Sequence, residues 1–324
     1  MGLQSMGEVE MISAVILANN EESNISYCLE SIKRISNIYV VDSGSTDNTT
    51  SICERLGARV FRHPYTNHAD QWRWALDNLP IATPWILALD ADFVVSCELL
   101  DRIFREIDTL SEDIGGIYVR HLYNFGWGEI RFGGTKKYWL RIVRQGCARP
   151  DTSDLVDFRF IVDRPVVRWR EAVIEHNRKD DDISIWVAKQ DKFSLRLAVE
   201  EELRRRGLHA WDRTPRLFGT VDERFAWLRD HWLELPLFVR PVLYFLYRYV
   251  IAGGFLDGRA GFLYHVLQGF WLRLVVDWKT IQLRDMELDD RALQEFARVM
   301  LKSQSGSVVQ IEVARRHRIS TAAI

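Results

Sequence analysis

Over its first ninety positions the chain sets short, unbroken apolar runs against polar loops. Ser13-Ala14-Val15-Ile16-Leu17-Ala18 ends at Asn19-Asn20-Glu21-Glu22, and Ile38-Tyr39-Val40-Val41 ends at Asp42-Ser43-Gly44-Ser45-Thr46-Asp47. Arg59-Val60-Phe61 is a third short run, and Trp85-Ile86-Leu87-Ala88-Leu89 leads straight into Asp90-Ala91-Asp92. Runs of this length bounded by turn residues read as buried strands. Between them the apolar positions take helical spacing. Ile25, Leu29 and Ile32 follow a cap at Ser23 or Asn24, and residues 49–56 and 69–79 form two further helices. Strands alternating with helices predict βαβ units, hence an α/β fold with a mainly parallel sheet and flanking helices. Loops at the carboxyl ends of such strands form the ligand crevice. Three of these loops carry acids: Glu21/Glu22, Asp42/Asp47 and Asp90/Asp92.

The pattern then changes twice. Residues 115–187 mix short strands with Gly-rich turns at Gly126, Gly128 and Gly133-Gly134, and helical signal returns from Ile185. Residues 195–206 are charged and amphipathic. Segments 235–250 and 261–278 are dense in Leu, Phe, Tyr, Trp and Val, with isolated Arg240, Arg248 and Arg273, and Pro236, Pro241 and Gly253-Gly254 interrupt the first. Neither reaches the roughly 18–20 uninterrupted apolar residues of a transmembrane helix. They read either as core helices packed on the α/β domain or as interfacial helices lying on a membrane. The division is an α/β domain over 11–200, an aromatic-rich helical region over 201–300, and a loosely ordered tail over 301–324.

Composition narrows the function classes. A net charge of -2 over 324 residues gives no support for nucleic-acid binding. Twelve Trp and sixteen Phe suit sugar-binding clefts, cores or membrane-interface belts alike. Cys28, Cys53, Cys97 and Cys147 stand far apart without zinc-like spacing and read as reduced thiols. Met1 to Glu10 lack an apolar stretch typical of a secretory signal. Cytoplasmic residence is therefore expected.

Chemistry concentrates at strand ends. Two carboxylates one residue apart after a buried strand, Asp90 and Asp92, project to the same side. One can ligate a hard divalent cation while the other accepts hydrogen bonds; the bland alternative is a solvated loop with helix-capping Asp. Asp42 can accept the N–H of a flat base, Gly44 permits a tight turn, and residues 45–47 can cap the next helix. Taken alone, that segment is simply a well-capped strand-turn-helix.

Together the blocks Ala14 to Glu22, Val40 to Asp47 and Trp85 to Asp92 resemble the three signature blocks of glycosyltransferase family 2, in the same order and spacing. The resemblance is strong over residues 12–100 and weaker over 115–278. It is closest to the branch that builds bacterial lipopolysaccharide core and exopolysaccharide. The resemblance implies a GT-A fold and an inverting transfer of a hexose from a UDP-sugar donor to a glycolipid or lipid-linked oligosaccharide. It places Asn19, Glu21 and Glu22 beside the base and ribose, Asp42 on a uracil-like base, Asp90 on the ribose or a metal-bound water, and Asp92 on Mg²⁺ or Mn²⁺. His176 would complete the metal shell, or be structural. Arg73 would clamp the diphosphate, or be a solvated helix charge. Gly133-Gly134 with Arg131 would lie under the sugar, or form an ordinary turn.

An inverting transfer also needs a general base for the acceptor hydroxyl. Related sequences carry an acidic pair after a Leu-Arg-x-x-Arg stretch and a Gly-x-Ala-Arg turn. Here Leu140-Arg141-Ile142-Val143-Arg144 and Gly146-Cys147-Ala148-Arg149 precede Leu155-Val156-Asp157-Phe158-Arg159. Phe158 stands where a Glu is expected and Arg159 where a His is expected. This leaves Asp157 as the base, with Asp154 and Asp163 as rivals. The expected setting is the cytoplasmic face of the cell membrane, peripherally bound. Two other readings compete: hexosyl transfer to a polyprenyl phosphate, and a non-catalytic GT-A-fold binding protein.

Overall fold

The structure is a computed structural model that describes residues 11–126, 128–134, 137–153 and 159–302. Its first half alternates as the pattern predicts: β1 (Ile12–Ala18), α1 (Ile25–Ser31), β2 (Ile38–Asp42), α2 (Thr49–Arg55), β3 (Arg59–Arg62), α3 (His68–Asn78) and β4 (Trp85–Asp90). A short β5 (Phe93–Val95) and α4 (Cys97–Glu106) follow. Next come β6 (Gly116–Phe125), β7 (Gly128–Ile130), β8 (Lys137–Arg144), β9 (Ala148–Pro150), β10 (Phe160–Val162) and β11 (Val166–Glu175). The rest is helical: α5 (Ile183–Arg205), α6 (Val221–Glu234), α7 (Val239–Leu246), α8 (Gly258–Tyr264), α9 (Leu272–Asp285) and α10 (Asp290–Lys302).

Among the described residues the main sheet runs β3-β2-β1-β4-β8-β6-β11-β5, with β7 on β6. The expected parallel sheet runs unbroken through β3-β2-β1-β4. Beyond β4 the sheet is mixed: β8 is antiparallel to β4 and β6, β6 is parallel to β11, and β5 is antiparallel to β11. A connection as short as that from β6 to β7 cannot make a parallel crossover, so the second half departs from the βαβ rule. The unbroken apolar runs follow from burial on both faces. In β1, Ala14, Ile16 and Ala18 enter one core while Val15 and Leu17 enter the other, the two-residue period of a strand.

The helices after residue 183 build a core of their own. Leu195, Val199 and Leu203, at four-residue spacing on α5, meet Leu272, Val276 and Leu283 of α9 and Leu293 and Ala297 of α10. α5 is continuous across residue 200. The α9–α10 layer is thus packed core. Within it the buried Arg240 pairs with Glu201 at 2.6 Å and with Asp277, so this apparently isolated charge is neutralised. No helix of the described residues is long and apolar enough to cross a membrane.

A second contact ties this helical region to the sheet. Arg248 Nε donates to the Gly133 carbonyl at 2.7 Å, and Gly133 N donates to the Ala252 carbonyl at 2.9 Å. His265 packs so closely here that a Cβ on Gly133 would stand 2.1 Å from its ring. Gly133 also has a φ of +76°, so glycine is required twice over. The Gly133-Gly134 turn therefore closes on the helices, in keeping with the turn reading. His265 is fully buried and neither ring nitrogen has a hydrogen-bond partner. Burial, then the Arg248 charge, bring its pKa down to about 4. Unfolded, the imidazole titrates near 6.5, so the unfolded state binds the extra proton between those values. Native stability should therefore fall as pH drops from 6.5 to 4, by about 3 kcal/mol from this group. Urea midpoints for wild type and His265→Gln, compared at pH 7.5 and 4, should diverge at pH 7.5 and converge at pH 4; an unchanging gap would assign the effect elsewhere.

Candidate active site

The first two strand-end loops are laced together. Asn20, in the left-handed region at φ 53°, donates its N–H to Ser45 Oγ at 2.8 Å, and its side-chain oxygen accepts from Thr46 N at 2.8 Å. Glu21 N donates to Thr49 Oγ1 at 2.7 Å, and Glu22 N to Asp47 at 3.1 Å. The carboxylates are engaged as well. Glu21 accepts from Lys179 Nζ and from Asn24 Nδ2, each at 2.7 Å, while Glu22 accepts from Asn48 Nδ2 at 2.9 Å. Asn24 begins α1 but does not cap it with its side chain, which bonds to Glu21 and Asn177 instead. Asp42 is fully buried at the end of β2 and accepts the N–H groups of Gly44 at 3.0 Å and Ser45 at 3.1 Å, shaping its own turn. Glu21, Glu22 and Asp42 thus tie the rim of the crevice together.

The chemical centre lies at the ends of β4 and β11. Asp90 sits between two nitrogen donors: His68 Nε2 stands 3.3 Å from Oδ1 and Arg141 Nη2 3.2 Å from Oδ2. Arg141 is only 2% exposed, and the rings of Phe93 and Trp139 flank its guanidinium at 4.6 Å each. Its position comes from a β-bulge. Leu140 pairs with Tyr118 and Ile142 with Ile117, so Arg141 is the extra residue that faces no partner on β6. A bulge re-aims the side chain it carries. Burial pushes the Asp90 carboxyl up, but Arg141, His68 and the charge of His121 outweigh it and bring the pKa down to about 2.

Asp92 is in the opposite situation. Burial first, then the Glu175, Asp90 and Glu21 carboxylates, push its pKa well above the usual range, and Lys189 opposes them only in part. Glu175 ends β11 in register with Phe93, and His121 Nε2 stands 2.9 Å from it. His121 in turn stacks on Trp139, with ring centroids 4.3 Å apart. The cluster carries more carboxylate than cation around Asp92. No group of three or more His, Cys, Asp or Glu among the described residues forms a metal cage. A donor set of few carboxylates fits Mg²⁺ or Mn²⁺ that completes its shell with water and phosphate oxygens.

The other expected residues divide. His176 N donates to the Asp92 carbonyl at 2.9 Å, so its backbone belongs to the centre, while its ring lies 3.9 Å from Asp181. Burial, then Arg178, lowers the His176 pKa, which keeps the ring neutral. Arg73 is largely exposed on α3 and lies 3.9 Å from Asp70, as a solvated helix charge would. Asp163 precedes β11, whose ten residues separate it from Glu175 by about 30 Å, too far for a base. Asp154 and Asp157 lie outside the described residues. Arg159, which stands where the family has a His, is buried, pairs with Asp222 and packs 4.1 Å from the Phe225 ring. Tyr118 Oη donates to the same carboxylate at 2.5 Å. Arg159 therefore anchors α6.

Sequence reasoning passed over His68, His121, Glu175 and Lys189 as members of the centre, and used Arg141 only as a landmark. Glu175 carried a readable signal, an acid at the end of an apolar strand run. For His68 and His121 no local pattern marks the role.

Residues 13–168, the segment that carries this whole constellation, match the family model described as glycosyl transferase family 2. Over that segment the chain is similar to glycosyltransferase family 2. It is 29% identical over 203 residues to the lipopolysaccharide core biosynthesis glycosyltransferase LpsC of Rhizobium meliloti, covering 59% of this chain and 71% of that protein. An uncharacterized glycosyltransferase of Rickettsia conorii is 40% identical over 95 residues, 29% of this chain and 33% of that one. The chain thus spans about a third of the length of the Rickettsia relative. Among solved structures, glucosyl-3-phosphoglycerate synthase from Mycobacterium tuberculosis with Mn²⁺, UDP-glucose and phosphoglyceric acid aligns at 24% identity and TM-score 0.30, over 36% of this chain and 44% of that one. Its complex with Mn²⁺, UDP and glucosyl-3-phosphoglycerate aligns at 18% identity and TM-score 0.41, over 62% and 82%.

Proposed function

We propose that this protein is a glycosyltransferase that moves a hexose from a UDP-sugar to a lipid-anchored glycan of the lipopolysaccharide-core class, with inversion at the anomeric carbon. The observation that carries the reading is that Asp42, Asp90 and Glu175 end their strands on the same side of the sheet, with Asp92 in the turn after β4 and Arg141 on Asp90. The similarity to LpsC supports the acceptor class.

In this scheme Asp42 receives the base and the laced loops at residues 19–24 and 43–49 bound its slot. Asp90, held by Arg141 and His68, is a fixed acceptor for the ribose or for water in the metal shell. Asp92, with His176 beside it, would hold Mg²⁺ or Mn²⁺. Bound there, the cation neutralises charge that builds on the departing diphosphate. Asp157 takes the proton from the acceptor hydroxyl as that oxygen attacks the anomeric carbon and the bond to the diphosphate breaks. Support for this role is the sequence pattern, in which Asp157 follows the stretches 140–144 and 146–149.

Asp157→Asn should lower turnover by roughly 10²–10⁴-fold and leave UDP affinity within about twofold, because the base touches only the acceptor. Steady-state transfer assays paired with UDP titration read both. Unchanged turnover would remove Asp157 from the mechanism.

A further inference from the structure

The helical region leaves one apolar stripe without a partner. Val239, Val242, Leu243, Leu246, Val250 and Ile251 recur at the three-and-four spacing of one helical face, and all six are exposed. Along the stripe, exposure stays between 42% and 53% from Val239 to Val250 and reaches 77% at Ile251. Past the Gly253-Gly254 turn, Phe255 and Leu256 continue it at 50% and 58%. A surface of this size on a soluble protein marks an interaction site.

We propose that this hairpin, from α7 through the turn to the start of α8, is inserted into the interfacial layer of a lipid bilayer. Three observations favour lipid over a second protein surface. First, exposure is greatest at the tip, the shape of a wedge and not of a flat patch. Second, the stripe carries no exposed charge. Arg240 is spent on Glu201 and Asp277, and Arg248 on the Gly133 carbonyl. Protein interfaces carry on the order of ten direct hydrogen bonds, and this face offers almost no side chains to make them. The backbone of the turn is satisfied internally, with Ala252 N on the Tyr247 carbonyl at 2.7 Å and Leu256 N on the Gly253 carbonyl at 2.9 Å, as an apolar surrounding requires. Third, an exposed cation stands beside the tip. Arg259 is exposed there, while Arg131 pairs with Glu129, and Asp257 accepts the N–H groups of Arg131 and Phe132. A cation at the edge of an apolar wedge complements lipid phosphates.

The wedge also fixes where the active site faces. Through Gly133 it grips the turn after β7, and β7 pairs with the end of β6, where Tyr123 is in register with Glu175. The tip therefore stands at the same end of the sheet as the carboxylates. This deepens the proposed function and rests on its acceptor: a lipid-anchored glycan would rise from the surface that holds the hairpin.

Flotation with vesicles of phosphatidylethanolamine and phosphatidylglycerol (3:1), in the absence of donor, tests the proposal. The full chain should float with the vesicles. Leu246→Asp/Ile251→Asp should reduce the bound fraction on the order of tenfold or more, and Phe255→Ser/Leu256→Ser should reduce it as well. Phe104→Ser, an exposed aromatic on α4, should not. Circular dichroism and unfolding midpoints of the variants should match wild type, since every substituted side chain faces solvent. Asp92→Ala, which removes the proposed metal ligand, should float like wild type, so failure of the nucleotide reading leaves this result untouched. Absence of flotation by wild type, equal flotation by the tip variants, or a dimer that the tip variants convert to monomers would overturn it.

Discussion

Arg141→Met is expected to lower turnover by roughly 10²-fold and unfolding free energy by about 2–3 kcal/mol. The guanidinium is buried, held between two rings, and is the strongest of the charges that keep Asp90 ionised. Methionine keeps the volume and removes the charge, which leaves Asp90 burdened by burial with only histidines near it. Misplacing that carboxylate by an ångström is enough for the kinetic loss. The pH dependence gives the cause. The folded pKa of Asp90 is about 2, below its unfolded value near 3.9, so its stabilising contribution is complete above the unfolded value and is lost as pH falls toward 2. The stability gap between wild type and Arg141→Met should be full at pH 6 and close between pH 4 and 2. Urea denaturation across that range measures it. A constant gap would show that Arg141 acts through packing alone.

Asp92→Asn should do the opposite to stability while abolishing function. Asp92 is crowded by Glu175, Asp90 and Glu21, and Lys189 opposes them only in part. Removing its charge relieves that repulsion and should raise the unfolding free energy by on the order of 0.5–2 kcal/mol in metal-free buffer. Transfer should fall by roughly 10³-fold, because neutral asparagine is a poor ligand for a hard divalent cation. Opposed changes in activity and stability are the mark of a residue retained for chemistry at the expense of the fold. Thermal unfolding and transfer assays on the one variant decide it. A loss of both would make Asp92 a structural residue.

The first half of this fold was legible because its strands are buried on both faces. Such strands read as unbroken apolar runs, and their ends could be located to within a residue or two, as at Leu17-Ala18 and Leu89-Asp90. The acids at those ends were legible for the same reason. What the sequence hid was made by long-range geometry. Arg141 looks like any strand residue between Leu140 and Ile142, and only the bulge in β8 turns it toward Asp90. His121 gains its place from a stack on Trp139 eighteen positions away in sequence. The antiparallel half of the sheet was hidden too, since strands of three residues such as β5 and β7 are too short to show a period. The apolar segments after residue 235 were ambiguous for a physical reason: one stretch both packs inward, through Arg240 and Tyr264, and presents an outward stripe.

The central claim is that these strand ends form a metal-assisted nucleotide-sugar site. Calorimetric titration of UDP into the full chain, once with Mn²⁺ and once with a chelator, tests it most directly. The account predicts binding that weakens roughly tenfold or more without metal, and an Asp92→Asn variant that binds alike under both conditions. Equal UDP affinity with and without metal in the wild-type protein would contradict it.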